Sequence, residues 1–309
     1  MGRKRRRGRP LNGWLVIDKP AGMTSTAVVN EVRRITGAAK VGHGGTLDPM
    51  ATGILPIAMG EATKTVAWAM EGEKTYRLTV RWGEATDTED ADGSVTETSD
   101  VRPDAAAIEV ALPAFTGPID QIPPAYSAVK VDGRRAYDVA RNEGEPTLAP
   151  REVLIDALRL EGAPDADHAT FVVRAGKGAY MRSLARDLAR ALGTVGHLSA
   201  LRRTVVGPFT ENQAISLDQL GALGHDAPSS EHFLPVEAAL DDIPALTLTE
   251  AEARRLRSGQ ALPALPLAQR VPRGTVQPGA TVRAMGDGRL VALARIEGGE
   301  VRPVRVMNL

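Results

Sequence analysis

Hydrophobic and polar positions change period several times along the chain, and the changes mark its elements. Trp14, Leu15, Val16 and Ile17 form an unbroken apolar run that predicts a short buried strand, and Lys19-Pro20-Ala21-Gly22 ends it in a turn. Val28, Val29, Val32 and Ile35 then recur at helical spacing. Thr24 or Ser25 is placed to cap that helix, and Gly37 closes it. A glycine-rich loop over 40–53 leads into an apolar stretch at 54–59, and 61–70 reads as helical. From 74 to 82 the chain alternates: Tyr76, Leu78, Val80 and Trp82 on one face, Thr75, Arg77, Thr79 and Arg81 on the other, as a half-buried strand does. The acidic stretch 84–100 reads as a solvated loop or hairpin tip. A strand over 123–131 turns at Asp132-Gly133 into a short helix at 134–142, stopped by Gly144. Further strands are expected at 153–160 and 170–175, and a helix at 183–192 before Gly193.

Polar composition at 224–231 reads as a linker. Beyond it the pattern predicts a helix at 249–258 and strands near 280–285, 289–296 and 301–306, a small barrel-like module. The expected class is therefore α+β: a mixed domain followed by a small β-rich one. Its 309 residues suit two domains better than one.

Composition narrows the chemistry by exclusion. With no cysteine, disulfides, thiolate metal sites and cysteine nucleophiles drop out, and the five histidines are scattered without metal-ligand spacing. No apolar run reaches the roughly 20 residues a membrane helix needs, and no secretory signal is readable, so an intracellular, cytoplasmic protein is expected. Formal net charge is zero, unlike a typical nucleic-acid binder. Yet Arg3, Lys4, Arg5, Arg6, Arg7 and Arg9 crowd the start, leaving 32 positive against 38 negative charges elsewhere. Residues 1–10 read as a basic disordered tail, either merely solubilising or an arm that contacts phosphates.

The most informative segment is GHGGTLDPMATGILPI, 42–57. It is not a P-loop, because no Lys-Ser or Lys-Thr follows the glycines, and its spacing fails the dinucleotide fingerprint. Three glycines before Thr46-Leu47-Asp48-Pro49 predict unusual backbone that presents Asp48 at a fixed place. Taken alone, Asp before Pro is also an ordinary helix cap.

The wider sequence changes that balance. DKPAGMTS from Asp18, the 42–57 block, Lys74-Thr75-Tyr76, PPAYSAVKVDGRRAYDVAR from Pro123, GAYMRSLARDL from Gly178 and HLSALRRTVVGPF from His197 resemble, in order, the TruB family of tRNA pseudouridine synthases. The resemblance covers residues 13 to 220 and is weaker from Gly224 onward. It implies a mixed, largely antiparallel sheet with flanking helices at 11–232, and a PUA-like RNA-binding module at 233–309. It implies isomerisation of the uridine at position 55 in the tRNA T loop, with no metal or organic cofactor and tRNA as the partner of a monomer.

Carried over residue by residue, the resemblance makes Asp48 the catalytic carboxylate, whether it attacks the base, attacks the sugar or removes a sugar proton. Arg182 is its partner, suited to a two-pronged grip on a carboxylate. Tyr76 stacks on the extruded uracil and is placed to handle the carbon-5 proton; by pattern alone it reads as a core aromatic on the strand face with Leu78 and Val80. Tyr180 and Leu201 close the pocket, and His43 holds the rearranged T loop. Lys19 and Pro20 brace the strand end beneath the loop. Arg202 and Arg203 are expected to contact phosphates, as are Lys130, Arg134 and Arg135 in a loop folding over the T stem-loop. Two rivals make distinct demands. A non-catalytic RNA-binding module predicts a missing nucleophile, and a glycosidase needs a second acid/base carboxylate that these motifs do not offer.

Overall fold

The computed structural model describes residues 8–127, 129–131, 134–137, 139, 144, 146–271 and 277–309. In chain order the strands are β1 (Gly13–Lys19), β2 (Val41–His43), β3 (Thr52–Met59), β4 (Lys74–Trp82), β5 (Glu84–Thr86), β6 (Val95–Thr98), β7 (Gly117–Gln121), β8 (Lys130–Val131), β9 (Arg134–Arg135), β10 (Arg151–Gly162), β11 (His168–Ala175), β12 (Gly196–Val206), β13 (Phe209–Thr210) and β14 (Ala214–Ile215). The C-terminal strands are β15 (Ala245–Thr247), β16 (Leu262–Pro263), β17 (Thr281–Gly286), β18 (Arg289–Glu297) and β19 (Glu300–Val306).

A 10-stranded sheet runs β14-β1-β3-β12-β4-β11-β10-β7, with β13 added to β12 and β2 to β3. Only β1–β14 and β3–β12 pair in parallel within it, so the expectation of a mixed, largely antiparallel sheet holds. The apolar run of β1 is explained by its neighbours. Leu15 and Ile17 pack with Val28, Val32 and Ile35 of the Ser25–Thr36 helix, while Trp14 and Val16 join a second core on the opposite face. The alternation of β4 sends Leu78, Val80 and Trp82 into a core with Phe171, Leu184 and Leu188, where Trp82 meets Phe171 edge-on at 6.4 Å. That core seats the Met181–Ala191 helix on the sheet.

Several local readings need correction. Residues 122–127 form no strand; β7 precedes them and only β8 follows. β8 and β9 pair on either side of Asp132-Gly133, which lies outside the described residues, as does much of the expected 134–142 helix. The polar 224–231 stretch is not a free linker. Gly224–Ser229 is a 3-10 helix whose Ala227 is buried with the Ser25–Thr36 helix, because Leu217 to Leu223 beside it already packs there. The expected break at 232/233 falls inside packed structure: Leu234 and Trp14 exchange backbone hydrogen bonds of 2.8 and 2.9 Å, and Val236, Ala239 and Leu240 share Trp14's core. An independent core begins with Leu246, within the five-stranded sheet β15-β17-β18-β19-β16. Arg9, assigned to the tail, is fastened: its guanidinium donates to the carbonyls of Thr36 and His225. Residues 1–7 lie outside the described residues.

Candidate active site

The loop 45–51 between β2 and β3 is held at nearly every residue. Thr24 caps the Ser25–Thr36 helix by accepting from the Ala27 N–H, which frees the Ser25 hydroxyl to bond both N–H and C=O of Leu47, at 2.9 and 3.1 Å. Lys19, fully buried at the end of β1, spends its three ammonium protons on the carbonyls of Pro20, Pro49 and Ala51. Burial holds its pKa below the usual lysine range, partly offset by the charge of Asp48. Its bracing role, expected from the sequence, is therefore literal.

Arg203 completes the cage and overturns an expectation. It contacts no solvent-facing phosphate path, being only 2 % exposed; Nε donates to Ile54 O, Nη1 to Thr46 O and Nη2 to Gly45 O at 2.9–3.3 Å. The physical reason is strand alternation. Arg202 and Arg203 are successive residues of β12, so one points outward and the other under the loop. Tyr76 is the register partner of Arg203 on β4, and the charge of Arg203 adds to burial in lowering the pKa of His43. Of Gly42, Gly44 and Gly45, only Gly45 takes a positive φ, 108°. Gly53 is the more demanding position: at φ 96° a Cβ there would lie 2.2 Å from the Arg203 carbonyl, where β3 and β12 meet.

At the apex stands Asp48. It caps no helix, since bends follow it, and its carboxylate is gripped at both oxygens by Arg182: Nε to Oδ2 at 2.9 Å, Nη2 to Oδ1 at 3.1 Å. The remaining protons of Arg182 reach Thr88 O and Tyr126 O, and the Asp90 carboxylate lies 3.7 Å away. Arg182 is thus buried with its donors matched, while Asp48 keeps 32 % of its side chain exposed. Such a carboxylate is oriented and accessible. Tyr180, at the N-cap of the Met181–Ala191 helix, is fixed by two hydrogen bonds between its backbone and the Gln121 side chain. Its phenol is half-buried, and burial raises its pKa.

The structure therefore brings Asp48, Arg182 and Tyr180 together, and ties Tyr76 and His43 to the same loop through Arg203. Leu201 is buried in the core that Tyr76 borders. His43 is half-buried on β2, and its Nδ1 has no hydrogen-bond partner among the described residues. Arg202 is already engaged, donating to both oxygens of Asp18 at 3.0 Å and to Glu211 at 2.7 Å. Arg134 is exposed; the side chains of Lys130 and Arg135 lie outside the described residues. A cleft of about 500 Å³ beside the loop is lined by Gly22, Met50, Thr52, Thr79, Ala91, Leu201 and Arg202, among others; Asp48, Tyr76 and Tyr180 do not line it. Asp90 was missed, because nothing in an acidic stretch distinguishes the one buried carboxylate. It is 5 % exposed and accepts from the Thr88 hydroxyl and the Asp92 N–H.

The fold and the matched family models define the class as a pseudouridylate synthase. Residues 33–181 match the N-terminal domain model of the TruB family of pseudouridylate synthases, and 182–241 match the tRNA pseudouridylate synthase B C-terminal domain. Proteins named tRNA pseudouridine synthase B are 61 % identical in Rhodospirillum rubrum, over 99 % of both chains, and 56 % identical in Gluconacetobacter diazotrophicus, over 98 % of this chain and 100 % of that one. A crystal structure of a Cbf5-Nop10-Gar1 complex contains a chain of 26 % identity and TM-score 0.72, covering 96 % of this chain and 84 % of its own. The chain belongs to the TruB family of pseudouridylate synthases.

Proposed function

We propose that this protein converts the uridine at position 55 in the T loop of tRNA to pseudouridine. The observation that carries the reading is the two-pronged Arg182–Asp48 pair at a loop fixed by Lys19, Ser25 and Arg203. The names of the relatives, tRNA pseudouridine synthase B, support tRNA as substrate.

The reaction is an isomerisation. The bond from uracil N1 to ribose C1′ breaks, the base turns, C5 bonds to C1′, and the C5 proton is lost as N1 gains one. A uridine in a folded loop must first leave its stack. Tyr76 then supplies an aromatic face at the edge of the core, with Leu201 and Tyr180 as further walls. Asp48 is the nucleophile or base, held in place by the two-pronged grip of Arg182. His43, in its neutral form, stands where the T loop is rearranged, and Arg202 and Lys130 contact the RNA backbone. The β-rich C-terminal module, PUA-like in this reading, adds RNA contact. In this reading the protein acts on tRNA as a monomer in the cytoplasm.

The test is incubation with an unmodified tRNA transcript, followed by base-resolution mapping of pseudouridine. Conversion at position 55 is expected. Conversion at another uridine, or none, would overturn the assignment.

A further inference from the structure

Arg182 and Arg186 lie one turn apart on the Met181–Ala191 helix, so both face the hairpin that joins β5 to β6. The hairpin meets them with consecutive residues. Thr88 gives its carbonyl to Arg182 Nη1 at 3.1 Å, Glu89 gives a carboxylate oxygen to Arg186 Nη1 at 2.5 Å, and Asp90 turns its carboxylate back toward Arg182. A tight bend of the backbone lies between Thr88 and Asp90. Glu89 supplies it with φ of 62°, one of two positive values among the described non-glycine residues. A residue with a Cβ resists that conformation unless its surroundings enforce it, and such strain gathers where geometry matters for function.

What enforces it is visible. The Glu89 and Arg186 side chains are 16 % and 13 % exposed, and Arg186 is aligned by Asp187 and by the Ile122 carbonyl. The Glu89 carbonyl accepts from Leu198 N–H and the Ala91 N–H donates to Leu198 O, fastening the turn to β12. The second Glu89 oxygen is buried and has no hydrogen-bond partner among the described residues, so Arg186 is the group that holds this carboxylate.

We propose that Glu89 is a positioning residue for the reaction: its ion pair with Arg186 fixes the turn that presents Thr88 O and Asp90 to Arg182, and so aims Arg182 at Asp48. The inference rests on the synthase reading above. Neither Glu89 nor Arg186 touches Asp48, so loss of the pair acts on the chemical step and leaves RNA binding intact.

The experiment measures single-turnover rate at saturating enzyme, tRNA Kd and thermal midpoint for the wild type, Glu89→Gln, Arg186→Met and the double variant. Each single variant is expected to slow the folded enzyme about tenfold with Kd within twofold, and the double variant to be no slower than either single one. Conversion by the wild type is the control: its absence indicts the synthase reading, not this one. A pH series separates positioning from mere packing. The groups facing Glu89 are Arg186, Arg182 and Asp187 on the helix and Asp90 on its own turn. All are common to the wild type and Glu89→Gln, so a pH dependence of the rate ratio reports on Glu89 together with the groups coupled to it. Burial raises the Glu89 pKa, and below that pKa the protonated acid resembles glutamine. The ratio should therefore be largest at neutral pH and fall toward one on acidification. A ratio of one throughout, a ratio independent of pH, or a tenfold change in Kd at unchanged rate would each overturn the proposal.

Discussion

Replacing Arg203 by methionine distinguishes a loop brace from an RNA contact. The side chain is almost wholly buried and donates to Gly45, Thr46 and Ile54. Methionine has similar length and no donor, so three carbonyls beneath the catalytic loop lose their partner. An unsatisfied buried acceptor costs about 1–3 kcal/mol. Three give about 3–9 kcal/mol, but removal of the desolvated charge offsets part of this. The net expectation is about 3–5 kcal/mol, the scale for breaking a buried charged partnership. Urea unfolding should show a lower midpoint at nearly unchanged m. The folded fraction should also turn over slowly, because the loop that carries Asp48 loses its tethers to Arg203. Binding of tRNA should keep its salt dependence, since a buried guanidinium displaces no counterion. The opposite pattern would refute the reasoning: a stability change under about 1 kcal/mol with a drop of roughly 0.7–0.9 in the log–log salt slope would make Arg203 a phosphate contact.

Asp48→Asn preserves shape and removes charge. No pseudouridine should form at any enzyme concentration, while tRNA Kd changes less than tenfold, about 1.4 kcal/mol; measurable turnover refutes Asp48 as nucleophile or base. Tyr76→Phe keeps the aromatic face, worth roughly 1–3 kcal/mol of stacking, so tRNA should bind well and react slowly; a wild-type single-turnover rate would remove the hydroxyl from the chemistry. In the C-terminal module, Glu252 closes a capping box with Thr249 and pairs with Arg270, which holds its pKa down to about 2. A carboxylate lowered in the folded state stabilises above its ordinary pKa of about 4.5 and loses that contribution as pH falls toward 2. Glu252→Gln should therefore lower the thermal midpoint at pH 7, with the offset shrinking below the ordinary pKa and nearly closed only as pH falls through about 2; an equal offset at pH 7 and pH 2 would refute the ionic origin.

Local order was legible in the sequence because period and capping are local properties. The apolar run of β1, the alternation of β4 and the Thr24 cap each follow from neighbours within a few residues. The candidate site was legible through ordered motifs, since Asp48, Arg182, Tyr76 and Tyr180 each sit in a run that resembles the family's. What only the tertiary structure decided is which side chains are buried, and against what. Arg202 and Arg203 are adjacent and chemically alike, yet strand alternation sends one to Asp18 and Glu211 at the surface and the other beneath the loop. Asp90 differs from its acidic neighbours only by facing Arg182 across 3.7 Å, a contact between residues 92 positions apart. The polar stretch after Gly224 reads as a linker until the buried Ala227 shows it packed on a helix nearly two hundred residues earlier. Burial is a property of the assembled chain, so a charged residue's sequence neighbours do not determine whether it meets water or a partner.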